Sequence, residues 1–268
     1  MEVIFHIGMP RTATTFLQQD IFPKIDVNFV NFNKYTRSRR FNVRVDKKIN
    51  RMLLYMEKYS DEELYNVLSK RMVDSKINLV SDECIYFGEM FSKKDNRFER
   101  IEKIKRIFPD AKIILGVRNK DDAILSWYKH YITVGGTLPF KEFKEKHINP
   151  EKFEYEPYVK YLYELFGKKN VYVYKFEEIK KDIYGFVEGI CSFIGVDAPE
   201  FKNVKRNVGY SLWQLKVSRV INMLFKNDMN PNGIIPLTYH WHPHRILFQS
   251  PYFPKILRGR EVTISDLL

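Results

Sequence analysis

Cysteine and long apolar runs are both scarce in this sequence. The 268 residues include only two cysteines, Cys84 and Cys191, which form no C-x-x-C pair, so a disulfide framework is not expected. No run of about 18 apolar residues could span a membrane, and the N-terminus lacks the basic and apolar regions of a secretory signal. These absences predict a cytoplasmic protein without a membrane span.

Signatures for metal and nucleic acid are also missing. There is no H-E-x-x-H spacing, and the alternating His240, His242 and His244 stand beside Pro243, so we interpret them as surface histidines. The net charge of +12 comes without a helix-turn-helix, zinc or RNA-recognition motif. We therefore expect no metal and no nucleic acid, and a positive field that attracts an anionic cofactor and an anionic acceptor.

The chain does have a phosphate-binding pattern at its start. Residues 3–8 are apolar and predict a buried strand, residues 9–15 form a polar turn, and a helix follows. This layout directs backbone N–H groups at one point. The turn differs from the P-loop pattern G-x-x-x-x-G-K-[ST], because Thr14 replaces the lysine and the cation is Arg11. It therefore favours a nucleotide's 5′-phosphate over ATP or GTP.

A second phosphate-binding pattern lies in mid-chain. The apolar run Lys112–Val117 predicts a strand, Arg118 stands at its end, and Ser126 follows eight residues later on the next predicted helix. An arginine fork and a serine hydroxyl can hold one phosphate from two directions. Both patterns follow strand ends, where open α/β sheets bind their ligands, so we expect them to act together.

Strands alternate with helices along most of the chain. This order predicts an α/β protein with a P-loop-NTPase-like three-layer fold, in which helices flank a central, mostly parallel sheet. We place this domain at residues 1–226, and we expect residues 227–268, rich in proline and aromatic residues, to form an extended tail on the same domain. The basic residues Arg37, Arg39, Arg40 and Arg44 are interpreted as a solvated loop.

Residues 10–16 resemble the 5′-phosphosulfate-binding loop, P-K-[ST]-G-T-T-[WFS], of sulfotransferases that use 3′-phosphoadenosine 5′-phosphosulfate (PAPS). Arg118 and Ser126 resemble the 3′-phosphate motif of the same family, and the likeness is to its bacterial, carbohydrate-sulfotransferase-like members. The sequence departs from the family at Arg11, where lysine is usual, at Ala13, where glycine is usual, and at Lys120, where proline is usual. Ala13 must therefore adopt a backbone conformation that a residue with a Cβ can reach.

The resemblance implies transfer of a sulfuryl group from PAPS to a hydroxyl or amine of a carbohydrate or glycoconjugate, which leaves 3′-phosphoadenosine 5′-phosphate (PAP) and needs no metal. It implies that Arg11 stabilises the leaving phosphate and that a late loop closes over the 3′-phosphate and adenine. The residues it assigns to the cofactor are Pro10, Arg11, Thr12, Ala13, Thr14, Thr15, Arg118, Ser126, Lys205, Arg206 and Tyr210. The late residues can equally be a basic loop with Ser211 as a helix N-cap.

The acceptor hydroxyl needs a general base. The resemblance favours Glu83, which follows the predicted strand Ile77–Ser81, with Asp82 and His130 as alternatives. His6 is a weaker candidate, because a histidine inside a strand is usually a hydrogen-bonded core residue. Two other functions stay open at this point: a nucleotide or nucleoside kinase-like P-loop enzyme, and a non-catalytic nucleotide-binding protein.

Overall fold

A computed structural model describes residues 1–30, 46–179, 181–202, 209–237 and 242–248, with shorter pieces at 250, 253–254, 259–260 and 262–267. The chain divides into two compact units. The first, here called the sheet unit, comprises Met1–Lys120 and Asn149–Asn203, and the second, the helical unit, comprises Asp121–Ile148 and Val204–Leu268. The basic residues predicted between 37 and 44 lie outside the described residues. The predicted domain boundary after residue 226 stays a prediction.

The sheet unit contains a five-stranded sheet in the order β2-β3-β1-β4-β5, and all four strand pairings are parallel. This confirms the predicted fold class. The central strands are apolar almost throughout because helices cover them on both faces. The strands are β1 Glu2–Gly8, β2 Asn28–Phe29, β3 Ile77–Ser81, β4 Lys112–Val117 and β5 Val171–Lys175.

Helices cover the two faces of this sheet. On one face, Ile4, Leu79 and Ile114 pack with residues of α1, its continuation and α10, while on the other Phe5 packs against Phe108 at the end of α5. The helices of the sheet unit are α1 Thr14–Phe16, which continues as a π turn Leu17–Ile21 and a 3-10 turn Phe22–Lys24, α2 Lys47–Leu54, α3 Asp61–Ser69, α4 Cys84–Phe87, α5 Arg97–Ile107, α8 Glu156–Phe166, α9 Phe176–Ile179 and α10 Ile183–Ile194, with 3-10 turns at Met56–Lys58, Pro150–Phe153 and Lys168–Asn170.

The ends of β1 and β4 approach each other closely. Gly8 lies opposite Gly116 in the register, and a Cβ added to Gly8 would come within 2.7 Å of the Gly116 carbonyl oxygen. A Cβ on Gly116 would meet the Tyr174 hydroxyl at 2.4 Å and the Thr12 hydroxyl at 2.7 Å. Glycine at both positions therefore lets the turn after β1 cross directly over the end of β4.

The helical unit is built around α11. Within it, the side-chain amide of Asn222 donates to the carbonyl oxygens of Ile132 and Gly136, each at 2.8 Å, and so fastens α11 to the end of α6. Its elements are α6 Lys120–Thr133, which begins on the last residue of the sheet unit, α7 Phe140–His147, α11 Leu212–Leu224, β6 Phe225–Lys226, β7 Ile235–Pro236, α12 Pro243–Phe248 and a 3-10 turn Ile264–Asp266.

Two expectations for the C-terminal segment are wrong. The segment is not simply extended, since it contains β7 and α12. His242 and His244 are not surface residues but fully buried, and Nδ1 of His244 lies 3.2 Å from the Tyr210 hydroxyl. His240 lies outside the described residues.

In the described part of the chain, no cluster of three or more His, Cys, Asp or Glu side chains is placed to hold a metal ion. None of the described helices is long and apolar enough to cross a membrane.

Candidate functional site

The turn after β1, residues 9–15, is held in an unusual backbone conformation. The Met9 N–H donates to the Gly116 carbonyl at 2.9 Å, and the buried Thr12 hydroxyl donates to the Met9 carbonyl at 2.8 Å. Arg11 and Ala13 both have left-handed backbone angles, with φ of 68° and 65°. Alternation of right-handed and left-handed residues makes a concave nest of N–H groups that suits an anion.

The N–H groups of this turn are available to a ligand. Among the described residues, none accepts a hydrogen bond from the backbone N–H of residues 12–15. Part of this is expected, since the first N–H groups of a helix lack intrahelical partners and α1 begins at Thr14. Four unpaired donors together with the positive end of a helical segment fit a bound phosphate.

A chain of hydrogen bonds between buried side chains of β1, β3 and β5 holds the turn in place. The Tyr174 hydroxyl donates to the Thr12 carbonyl at 3.0 Å and lies 3.0 Å from Nε2 of His6. Nδ1 of His6 lies 2.6 Å from the Ser81 hydroxyl, which also accepts from the Gln18 amide at 3.1 Å. One neutral tautomer of His6 satisfies every contact: Nε2–H donates to Tyr174, and Nδ1 accepts from Ser81.

His6 therefore has a structural role. It is buried, and burial lowers its pKa to about 3, so its ring stays neutral at physiological pH. This agrees with its interpretation as a hydrogen-bonded core histidine rather than a catalyst.

The Arg118 guanidinium lies at this edge of the sheet. Nη1 of Arg118 donates to the Arg11 carbonyl at 3.4 Å, and its guanidinium carbon stands 4.5 Å from the centre of the Phe176 ring. The arginine of the mid-chain motif therefore contacts the turn of the first motif. Ser126 is on α6 in the helical unit, and its pairing with Arg118 stays a prediction.

Asp82 and Glu83, the two acidic candidates after β3, have different environments. Asp82 is only 3% exposed, and its carboxylate accepts from the Asn50 side chain at 2.6 Å and the Cys84 N–H at 2.8 Å. Glu83 is exposed, and its carboxylate accepts from the Thr14 hydroxyl at 3.0 Å. Of the two, Glu83 is therefore the one beside the turn and open to solvent.

The charges near Glu83 influence one another. Desolvation by the surrounding chain raises the pKa of Glu83, the hydrogen bond from Thr14 lowers it, the charge of Asp82 raises it and the charge of Arg11 lowers it. Protein atoms around the Arg11 guanidinium lower its pKa by desolvation, and Glu83 opposes this, although the Arg11 side chain keeps an exposed surface. A carboxylate with a raised pKa is suited to accept a proton near neutral pH.

The remaining predicted residues lie in the helical unit or outside the described part. His130 is on α6, with its ring 5.5 Å from that of Trp127. Tyr210 is buried, and its ring packs edge-on against His244 and Phe248, which argues against the predicted contact with adenine. Ser211 does stand at the N-cap of α11. Lys205 and Arg206 lie outside the described residues.

Comparison with known proteins decides the family. A sequence profile described as the sulfotransferase family matches residues 3–200, about three quarters of the chain. The chain belongs to the sulfotransferase family. The predicted family and enzyme class are therefore confirmed, and the matched span contains both phosphate motifs and Glu83.

Several solved sulfotransferase structures resemble this chain. One from Alicyclobacillus acidocaldarius has 20% identity and a TM-score of 0.44, with 78% of this chain and 86% of that chain covered. Mouse sulfotransferase SULT7A1, solved in complex with PAP, has 19% identity and a TM-score of 0.43, with 74% of this chain and 60% of that chain covered. Sulfotransferase STF1 of Mycobacterium tuberculosis H37Rv has 10% identity and a TM-score of 0.45, with 82% of this chain and 70% of that chain covered. No curated protein matches the chain.

Sequence reasoning missed the residues that support the site. No sequence pattern singles out Tyr174, which holds the turn, or Asn50, which holds Asp82. The same is true of Arg100, whose buried guanidinium donates to the carbonyl oxygens of Cys84 and Leu54. One feature could have indicated Tyr174: it is a polar side chain in a strand that flanks β4, and His6 is a polar side chain in the strand on the other flank of β4.

Tyr174→Phe tests the support under the turn. Loss of the hydroxyl leaves the His6 N–H and the Thr12 carbonyl without their partner in the interior, so we expect the free energy of unfolding to fall by about 1–3 kcal/mol. Amide exchange of Met9, whose N–H donates to the Gly116 carbonyl, should also accelerate. Urea unfolding and hydrogen exchange measure both, with Tyr172→Phe, on the same face of β5, as the matched control. Equal losses in the two variants would contradict the role of this hydroxyl.

Ala13→Gly tests the strain in the turn. Because Ala13 has a left-handed backbone with φ of 65°, glycine removes a steric cost of about 1–2 kcal/mol. Glycine also raises the entropy of the unfolded chain, which lowers stability by about 0.4–1 kcal/mol. We expect a net stabilisation of about 0.5–1 kcal/mol in urea unfolding. Ala123→Gly, inside the right-handed α6, should instead destabilise by about 1 kcal/mol. If Ala13→Gly destabilises like its control, the turn is not strained.

Proposed function

We propose that this chain transfers the sulfuryl group of PAPS to a hydroxyl or amine of a carbohydrate or glycoconjugate. Family membership supports sulfuryl transfer. The observation that carries the proposal further is the contact of the Arg118 guanidinium with the Arg11 carbonyl, beside the nest of unpaired N–H groups after β1. A positive charge held beside four backbone donors, with the exposed Arg11 side chain on the same turn, matches a nucleotide with phosphate at both ends.

Each element of the site has a proposed role in donor binding. The backbone of Pro10 to Thr15 and the hydroxyls of Thr14 and Thr15 hold the 5′-phosphate, while Arg118 and Ser126 hold the 3′-phosphate. PAPS, when bound, supplies an activated sulfuryl group on a phosphate leaving group. Arg11 stabilises the negative charge that grows on that phosphate, as fixed cations do in other group transfers. Lys205 and Arg206 remain weaker candidates for the adenine side, whereas the burial of Tyr210 disfavours it there.

Glu83 is our choice for the general base. It removes the proton of the acceptor hydroxyl as the acceptor oxygen bonds to sulfur and the bond from sulfur to the phosphate oxygen breaks. Its exposure and its contact with Thr14 support this role, whereas the Asp82 carboxylate is engaged with Asn50 and a backbone N–H. His130, on α6 of the helical unit, remains an alternative base.

The acceptor and the location are the less specific parts of the proposal. The resemblance to carbohydrate sulfotransferases favours a sugar hydroxyl or amine, and the net charge of +12 favours an acceptor that is itself anionic. Both cysteines, Cys84 and Cys191, are free thiols, which supports a reducing, cytoplasmic setting.

Ligand-induced stabilisation tests the donor. At a hundredfold excess over its Kd, PAP should stabilise the chain by about 2.7 kcal/mol, and AMP and ATP should do so far less at the same concentration. Arg118→Ala should remove the preference for PAP over AMP, because the 3′-phosphate loses its fork. Arg106→Ala, which breaks an exposed ion pair with Asp61, is the control. Stabilisation by ATP with magnesium that exceeds PAP would indicate a kinase instead.

Proton uptake tests the base without an identified acceptor. A bound phosphate competes for the Thr14 hydroxyl, neutralises Arg11 and adds negative charge, and each of these changes raises the pKa of Glu83 further. Calorimetry of PAP binding in buffers of different ionisation enthalpy, between about pH 5 and 8, should therefore show uptake of a proton. Glu83→Gln should lose this uptake and Asp82→Asn should keep it; the reverse pattern would move the role to Asp82.

A further inference from the structure

Helix α11 buries several polar side chains beside Leu215 and exposes an apolar stripe. Gln214, Ser218 and Asn222 are buried and lie on the side that faces the interior of the helical unit. Val217, Val220 and Leu224 are all exposed, Val220 by 59%, and with Trp213 they follow a spacing of four, three and four residues, which places them on one face of the helix. A helix that turns its apolar stripe outward lacks the packing that normally stabilises it.

The apolar stripe continues onto neighbouring elements. The Ile234 N–H donates to the Leu224 carbonyl at 3.1 Å, and Ile234 is 84% exposed. Of the fourteen exposed large hydrophobic side chains in the described residues, nine fall in this region, which we call the apolar face: Trp213, Val217, Val220, Met223, Leu224, Ile234, Ile235, Ile246 and Leu247. Such a concentration marks a surface that meets another molecule or a membrane.

The charged side chains of α11 and β6 are all positive, whereas Asp228, two residues after β6, is exposed and negative. Between Gly209 and Asn227 the sequence has no aspartate or glutamate, and Lys216 and Lys226 are exposed beside the stripe. In a symmetric dimer through this face, lysines of the same sign would lie near one another at a two-fold axis, in a chain that already carries a net charge of +12. An anionic occupant is therefore favoured over a second copy.

We propose that the apolar face rests on an anionic lipid bilayer, with Val217, Val220 and Leu224 in the headgroup–acyl boundary and Lys216 and Lys226 against the lipid phosphates. Apolar side chains with flanking lysines are the pattern of surface-bound helical segments, and tryptophan favours the same boundary. This goes beyond sulfuryl transfer and does not depend on it. It would bring the enzyme to acceptors that are anchored in lipid.

Vesicle sedimentation tests this surface with the full chain. Binding should be strong to vesicles of phosphatidylcholine mixed with phosphatidylglycerol and weak to phosphatidylcholine alone. Val217→Ser with Val220→Ser should lower the partition coefficient by tenfold or more, since each valine loses burial in the boundary. Lys216→Gln with Lys226→Gln should lower it by about fivefold per lysine on the mixed vesicles only, as should raised salt.

Controls separate surface binding from folding and from donor binding. Val73→Ser removes a valine of the sheet unit that is as exposed as Val217 and should leave vesicle binding unchanged. The melting temperature without ligand, and its shift with PAP, should be the same in all these variants. Equal binding to neutral and anionic vesicles would overturn the proposal, and so would a dimer in sedimentation velocity that Val217→Ser with Val220→Ser abolishes. Failure to bind PAP would leave it standing and would count against the proposed function alone.

Discussion

The contact between the Tyr174 hydroxyl and the Thr12 carbonyl is the interaction on which the rest of the site depends. It connects β5, through the buried Tyr174 side chain, to a turn that has two residues in left-handed conformations. Such a backbone persists only where its surroundings determine it fully. The hydroxyl reaches the turn because Gly116 has no side chain in its path, so a strand end without a Cβ is part of how the turn keeps its shape.

Much of the sheet unit could be predicted from the sequence, because its signals are local. Apolar runs that stop at polar residues predicted β3 and β4 at their observed bounds, and the apolar residues 3–8 predicted nearly all of β1. Arg118 could be placed at the same edge as Arg11 because both follow strands that a parallel sheet aligns. These inferences needed periodicity and chain order alone.

What could not be predicted depends on contacts between distant residues. Whether Asp82 or Glu83 turns inward is decided by Asn50 and by the N–H of Cys84, and no local pattern contains that information. His242 and His244 looked like surface residues beside a proline, yet the helical unit buries them. The outward stripe of α11 was equally invisible, because periodicity identifies an apolar face without saying whether anything covers it.

The hydrogen-bond chain through His6 also determines whether this ring titrates beneath the turn after β1. Because that ring is held as a single neutral tautomer, with its pKa lowered to about 3, mild acidification leaves the support of residues 9–15 chemically unchanged. Titration of His6 itself therefore contributes nothing to an activity profile measured near neutral pH.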